Sequence, residues 1–184
     1  MTLAAGPIGG HGAAMKYQDC AEALQADDAG NAARLADANI NPATGLATDY
    51  LNHFNEAIML LEMLSSCPDC LEDFLSWRPT SYREHFEASR FKGRALAIAA
   101  YDATDPSLRD CLDTLAGTMT AVLEATRLAM DSDIPQPTAV ALAERAAALL
   151  RPLVARAGAV INGEDNGGKL LAPQAVVDGL LTSA

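Results

Sequence analysis

The chain has 184 residues, of which 50% are hydrophobic and 5% aromatic, and it carries a formal net charge of −11 with a pI near 4.5. This length suffices for one domain with a core, and the acidity argues against binding to nucleic acid or an anionic membrane surface, because phosphates attract clustered Lys and Arg. With neither a long uncharged apolar stretch nor the basic start and apolar core of a signal peptide, we expect a cytoplasmic protein without a membrane span, whose four cysteines are thiols.

The N-terminal part is expected to be a flexible lead-in over residues 1–13, rich in glycine, followed by one helical domain over 14–184. Residues 14–38 are rich in alanine and compatible with helix. Asp27-Asp28 and Gly30-Asn31 predict a break into two short helices there.

The most clearly helical segment is 41–64. Asn41 is a candidate cap with Pro42 at the first helical position, and Thr44 is the alternative cap. Its helical spacing predicts one core-facing stripe, formed by Tyr50, Phe54, Ala57, Ile58, Leu61 and Leu64.

Toward its end this helix is apolar on nearly every side. Met59, Leu60 and Met63 lie opposite the stripe, which predicts burial against more than one neighbour. Asn55 and Glu62 lie near the edge of the stripe, so either could be a buried polar group that needs a partner. Glu62 could equally pair with an arginine on a neighbouring helix.

The remaining chain shows start and stop signals of further helices. One helix is predicted from Pro68 to about Trp77, and another from Ser81, whose spacing to Glu84 is that of a capping box, to about 103 with a bend near Gly93. A long helix is expected to begin at Pro106, capped by Asp105 or Thr104.

After a connector at 131–137, the sequence predicts a helix from Thr138 that is kinked or divided at Pro152. A turn at 162–168 and a short helix at 173–181 complete the chain. The core candidates of the helix from Thr138 are its larger apolar residues, namely Val140, Leu142, Leu149, Leu150, Leu153 and Val154.

No segment shows convincing strand alternation. The sum is an all-α fold, an antiparallel bundle of about four long helices with additional short helices, joined by short loops.

The most suggestive chemical pattern is a repeated Tyr-x-x-His-Phe, at Tyr50 to Phe54 and again at Tyr82 to Phe86. Around His53, Asp49 and Glu56 stand at helical spacings that let all three side chains reach one patch. If the two helices pack side by side, His53, His85, Asp49 and Glu56 could form a zinc or iron site, since helical bundles build metal sites from such ligands. The other interpretation is structural: the histidines are satisfied core residues, and the carboxylates are a solvated face.

Three further motifs point to chemistry less strongly. A phosphotransfer histidine is disfavoured, because Lys92-Gly93 lies too far beyond His85. Cys67-Pro68-Asp69-Cys70 could be a redox switch with a thiolate stabilised by the helix N-terminus, or simply two thiols in a turn. The segment 163–169 fits only part of a phosphate loop and lacks its Ser or Thr, so we interpret it as an exposed turn.

No catalytic motif emerges, and no cofactor is identified. The primary hypothesis is a regulatory or interaction protein that acts through its surface on a protein partner or on a second copy of itself. The alternative hypothesis is the metal-binding bundle.

Overall fold

The computed structural model of the chain describes residues 28–132, 134–164 and 177–179. This part of the chain is helical and contains no strand, which confirms the all-α class. A 3-10 turn at Thr48–Tyr50 precedes α2, and the helices are α1 (Asp28–Asp37), α2 (Leu51–Met63), α3 (Cys70–Ser76), α4 (Tyr82–Ala88), α5 (Arg94–Ala103), α6 (Pro106–Met130) and α7 (Gln136–Asn162).

Two of these helices are long. α6 and α7 have 25 and 27 residues, whereas the others have 7 to 13. The antiparallel arrangement of about four long helices therefore stays a prediction. The lead-in at 1–13 and most of the turn and terminal helix expected beyond 164 lie outside the described residues, although 177–179 are helical.

α1 runs without interruption through Gly30 and Asn31, so the predicted break does not lie at these two residues, whereas Asp27 and the residues before it lie outside the described residues. The helix ends at a Schellman motif, because Asn39 adopts a left-handed conformation (φ +53°) and its N–H and that of Ile40 donate to the last turn. Asparagine tolerates this conformation better than other residues with a Cβ. The motif turns the chain sharply and buries Ile40 beside Leu35.

Residues 41–47 form a closed loop rather than the start of the central helix, so both predicted caps, at Asn41 and Thr44, are wrong. The Asn41 side chain accepts the Ala43 N–H at 2.8 Å, and its backbone is bonded to Gly45 and Leu46 on the far side of the loop. Asparagine before proline stabilises a turn as readily as it caps a helix. Gly45, at φ +72°, reverses the chain direction, and α2 begins only at Leu51.

The buried face of α2 confirms the predicted stripe, since Tyr50, Phe54, Ala57, Ile58, Leu61 and Leu64 are all buried. The prediction that this helix is buried against more than one neighbour is confirmed, because α2 packs against both α7 and α3. Met59 and Met63 nevertheless stay 51% and 42% exposed. Glu62 pairs with Arg151 of α7 through contacts of 2.9 and 2.6 Å, which confirms the predicted arginine partner on a neighbouring helix.

Helix starts after the central segment follow their sequence signals. Ser81 and Glu84 form the predicted capping box, and the Asp105 side chain accepts the Ser107 N–H with Pro106 in the first turn. The predicted bend at Gly93 is a complete break, because α4 ends at Ala88 and α5 begins at Arg94.

α7 buries a different face from the one predicted. Leu150 is buried, but the other five predicted core residues are only partly so. Alanines let the backbones of α7 and its neighbours approach closely, so the small residues occupy the interface. Pro152 lies within α7 and does not divide it, and none of the described helices is long and apolar enough to cross a membrane. The alanines buried on this face are Ala139, Ala143, Ala146, Ala147 and Ala157.

A substitution at Gly45 tests the packing of the loop. A Cβ there would lie 2.8 Å from Thr104 Oγ1 and 3.0 Å from the Ala100 carbonyl oxygen, at a positive φ. We therefore expect Gly45→Ala to lower the free energy of unfolding by about 2 to 4 kcal/mol in urea denaturation. Gly117→Ala is the matched control, because nothing lies within 4 Å of its Cβ, and it should raise stability by about 0.5 to 1 kcal/mol. Equal effects of the two substitutions would contradict this account.

Candidate functional site

The two Tyr-x-x-His-Phe motifs meet in the fold. Tyr50 and Tyr82 have ring centroids 5.2 Å apart, and His53 and His85 have theirs 6.2 Å apart. The 3-10 turn and α2 supply one motif and α4 supplies the other. The rings, together with Trp77 and Phe86, form a cluster that we call the histidine cluster: Tyr50, His53, Trp77, Tyr82, His85 and Phe86.

His53 is held mainly by Trp77. The two rings are stacked at 4.6 Å, and the Trp77 indole N–H donates to the His53 backbone carbonyl at 3.3 Å. Burial and, to a smaller extent, the neighbouring His85 lower the pKa of His53 to about 4. The imidazole is therefore neutral at physiological pH.

His85 faces the 3-10 turn. Its Nε2 atom lies 3.6 Å from the Asp49 carboxylate, and its ring packs edge-on against Tyr50 and Phe86. The Nε2 atoms of both histidines are buried and have no hydrogen-bond partner within the described structure. Two such nitrogens in one cluster are unusual, because buried polar atoms are nearly always paired.

The tyrosines of the cluster are fixed by the backbone. The Tyr50 hydroxyl donates to the Thr80 carbonyl at 3.1 Å, and the Tyr82 hydroxyl accepts the Ala47 N–H at 2.9 Å. Burial raises the pKa of each phenol well above its usual value, so both stay protonated. The Tyr50 hydroxyl thus ties the 3-10 turn to the segment before α4, and the Tyr82 hydroxyl ties α4 to the loop at 41–47.

The structure thus brings together three of the four proposed metal ligands, His53, His85 and Asp49. Glu56 is exposed on α2, and its carboxylate forms no ion pair with either histidine in the described chain. Across residues 28–132, 134–164 and 177–179, no group of three or more His, Cys, Asp or Glu side chains is arranged so that it could hold a metal ion.

The Cys67 and Cys70 thiols lie at the start of α3. Their hydrogen bond, together with burial, raises the pKa of Cys70 to about 11. This is the opposite of the thiolate stabilisation expected from a helix N-terminus, so Cys70 is not an activated nucleophile. Cys67 and Cys70 are thiols and form no disulfide with each other.

Sequence reasoning did not include Trp77 in the site. A tryptophan just before Arg78-Pro79 reads as the end of a helix, and nothing in its spacing links it to His53, which lies 24 residues earlier.

A second feature is the exposed face of α2. Asn52, Asn55, Met59 and Met63 recur at three- and four-residue steps and are all exposed. The same helix thus offers polar amides near its start and thioethers near its end to solvent.

No protein-family model, no curated protein and no solved structure matches the chain. Functional inference therefore rests on the residues themselves.

The lowered pKa of His53 predicts a pH-dependent stability. In the unfolded chain the imidazole takes up a proton near pH 6.5, whereas in the folded chain it does so only near pH 4. The unfolded state binds more protons between these values, so stability falls as pH is lowered from about 6.5 to 4. Because the ring is partly exposed, we expect this histidine to account for only about 1 to 2 kcal/mol.

The measurement is urea denaturation across this pH range for the native chain and for His53→Gln. Carboxylates titrate in both proteins, so the difference between the two curves isolates His53. The variant should lose less stability between pH 6.5 and 4, and parallel curves would show that His53 is not held neutral.

Proposed function

We propose that this chain is a regulatory or interaction protein that binds a protein partner through the end of α2 around Met59 and Met63. The observation that carries the proposal is the exposure of these two methionines on consecutive turns of a helix whose other face is fully buried. Of the three large hydrophobic residues exposed in the described chain, two are this pair, and Leu128 is the third.

Methionine suits such a role. Its unbranched thioether adapts to different partner surfaces, and it is enriched at protein interfaces. A single exposed apolar residue needs no explanation. Two on adjacent turns of a helix do, because polar residues could stand at both positions without any effect on the core. The neighbouring Glu62 and Arg151 pair holds α2 against α7 at this point, so the methionines stand on a fixed helix.

The charge of the chain indicates the partner's chemistry. α2 carries Glu56 and Glu62 and no Lys or Arg, and the whole chain has a net charge of −11. A partner whose apolar side chains are flanked by Lys or Arg would be attracted over a distance and would then cover the methionines. Self-association would bring two acidic surfaces together, so we favour a different protein over a homodimer.

Two structural features are part of the same proposal. We infer that packed neighbouring helices are antiparallel, because connectors such as the one between α6 and α7 are short. The Cys67 and Cys70 thiols, which lie close together and form no disulfide, support a reducing compartment, which favours the cytoplasm.

Site-specific photo-crosslinking tests the interface. A photoreactive amino acid is placed at Met59, and at Leu128 as the matched exposed control on α6. We expect a discrete adduct from position 59 and none from position 128, since only position 59 is proposed to face the partner. The adduct partner is then identified, purified and titrated against the native chain and against Met59→Lys.

Met59→Lys should weaken that purified complex by at least about tenfold, because it places a cation against a basic, apolar surface. Leu128→Lys should leave the affinity unchanged. Equal adducts at both positions, or an affinity that Met59→Lys does not alter, would contradict the proposal. An adduct of two copies of this chain, with a dimer in sedimentation, would replace the partner by a homodimer.

The histidine cluster supports a second candidate function, metal binding. The observation in its favour is that the buried Nε2 atoms of His53 and His85 form no hydrogen bond within the described residues, while the Asp49 carboxylate lies 3.6 Å from that of His85. Zinc bound tetrahedrally by two imidazoles at about 2.1 Å places their ring centroids about 5 Å apart. At 6.2 Å, the two rings would need to approach each other by about 1 Å.

Thermal unfolding with and without zinc tests this candidate, after elemental analysis of untagged protein. Saturating zinc should raise the midpoint of unfolding of the native chain, since a ligand that binds only the folded state stabilises it. His85→Gln should abolish the rise, whereas a Cys67→Ala and Cys70→Ala double variant should keep it. A rise that survives His85→Gln and disappears with the cysteines would assign the zinc to the thiols and contradict the histidine site.

A further inference from the structure

The molecule carries a cleft of about 550 Å³ next to the start of α2, between the loop after α1 and the last turn of α7. Its volume lies within the range of about 300 to 1,000 Å³ that is common for ligand sites. Five asparagines are among the described residues that line it, and they come from three separate elements of the fold: Asn39, Asn41, Asn52, Asn55 and Asn162.

The chemistry of the lining excludes several ligand classes. Among the described residues that line the cleft there is no Lys or Arg, and Asp49 is the one charged residue, so this lining disfavours phosphates and other anions. The described lining contains no aromatic residue either, so it offers no stacking surface for a nucleobase or a sugar ring. Pro42 is the exposed apolar residue of the described lining, and Ile40, Leu46, Leu51 and Ile161 lie buried beneath it.

The cleft does offer asparagine amides that form no hydrogen bond within the described part of the chain. Asn41 is bonded to the Ala43 N–H and Asn52 to the Asp49 carboxylate. The side chains of Asn39, Asn55 and Asn162 form no hydrogen bond within the described part of the chain, and all three are exposed. Each presents a carbonyl oxygen and an NH2 group side by side.

We propose that this cleft binds the backbone of an extended peptide segment. A peptide unit presents one N–H and one C=O per residue, which matches the donor and acceptor of an asparagine amide, and the exposed Pro42 offers an apolar contact to a small side chain. The cleft is also continuous with the proposed interface, because Asn55 lies one turn before Met59 on α2. The inference thus rests on the proposed function in that the segment belongs to the protein partner.

The shape of the backbone supports a built site. Asn39 occupies the left-handed region at the Schellman motif, and Asn162 is the last residue of α7, immediately before Gly163 at φ +73°. Asn39 at the end of α1 and Asn162 at the end of α7 therefore line the same cleft as Asn52 in the first turn of α2. The floor beneath them is rigid, since Ile40, Leu46 and Ile161 are fully buried.

The test uses the full chain labelled with ¹⁵N and follows the side-chain NH2 signals of its asparagines by NMR. The probe is the blocked peptide N-acetyl-Ala-Ala-Ala-N-methylamide, with glucose and sodium phosphate as parallel titrations. We expect saturable shifts of the Asn39, Asn55 and Asn162 signals with the peptide alone, with a dissociation constant on the order of millimolar.

Variants separate the cleft from general effects. Asn55→Leu removes one amide while keeping the number and branching of the side-chain heavy atoms, and it should weaken peptide binding by at least about fivefold. Gln136→Leu, which removes an exposed amide from the start of α7, should leave binding unchanged. Thermal unfolding of both variants checks that they fold.

Shifts with glucose or phosphate but not with the peptide, shifts that do not saturate, or peptide binding that Asn55→Leu leaves intact would each overturn the proposal. The titration contains no protein partner and does not depend on Met59. Loss of the peptide signal with intact cross-linking at Met59, or the reverse, therefore shows which of the two proposals fails.

Discussion

The fold depends on a small buried hydrogen-bond group where the loop at 41–47 meets α5 and α7. The Thr44 hydroxyl donates to the Ile161 carbonyl at 2.6 Å, and the Thr104 hydroxyl lies 2.9 Å from the carbonyl oxygens of both Thr44 and Ala100. Because Gly45 has no Cβ, the loop can lie directly on α5. Buried bonds of this kind specify one arrangement, since each would leave an unpaired polar atom in any other. They fix the position of Asp49 and Tyr50, and hence of both the histidine cluster and the asparagine cleft.

The sequence allowed the parts of the fold that rest on local rules to be predicted. The buried stripe of α2, the capping box at Ser81 and Glu84, and the start of α6 at Pro106 need only neighbouring residues, and the structure confirms them. The loop at 41–47 was missed because Asn41-Pro42 is compatible with both a helix start and a turn, and only the distant Thr104 and Ile161 decide between them. The core face of α7 was missed because alanine burial is set by how closely a neighbouring helix approaches, which spacing alone does not encode.

In the candidate site, too, some residues could be predicted from local sequence patterns and others could not. The echo of Tyr-x-x-His-Phe correctly indicated that the two histidines could meet, although the metal site inferred from it stays a hypothesis. Trp77 and the five cleft asparagines could not be found, since they come together only through the tertiary fold. With both tyrosines protonated and His53 neutral, these three members of the cluster carry no charge at physiological pH, and the Asp49 carboxylate lies at the edge of the cluster, 3.6 Å from His85 Nε2. The cluster is therefore part of the core. The groups in it that could still bind a ligand are the Nε2 atoms of the two histidines, which form no hydrogen bond within the described residues.

In the proposed interface, the long-range attraction of a partner and its recognition at contact distance depend on different groups of the chain. The net charge of −11 acts over distances of about a Debye length, roughly 8 Å at physiological ionic strength, and is weakened by salt. The asparagine amides and methionine thioethers are uncharged, and their contacts act only at van der Waals or hydrogen-bonding distance. A partner drawn in by charge would thus be selected by neutral groups, which hold their contacts when the long-range attraction is screened. For a strongly acidic chain this arrangement favours specificity, because many basic proteins would be attracted but few would present both a peptide backbone for the amides and an apolar side chain for the methionines.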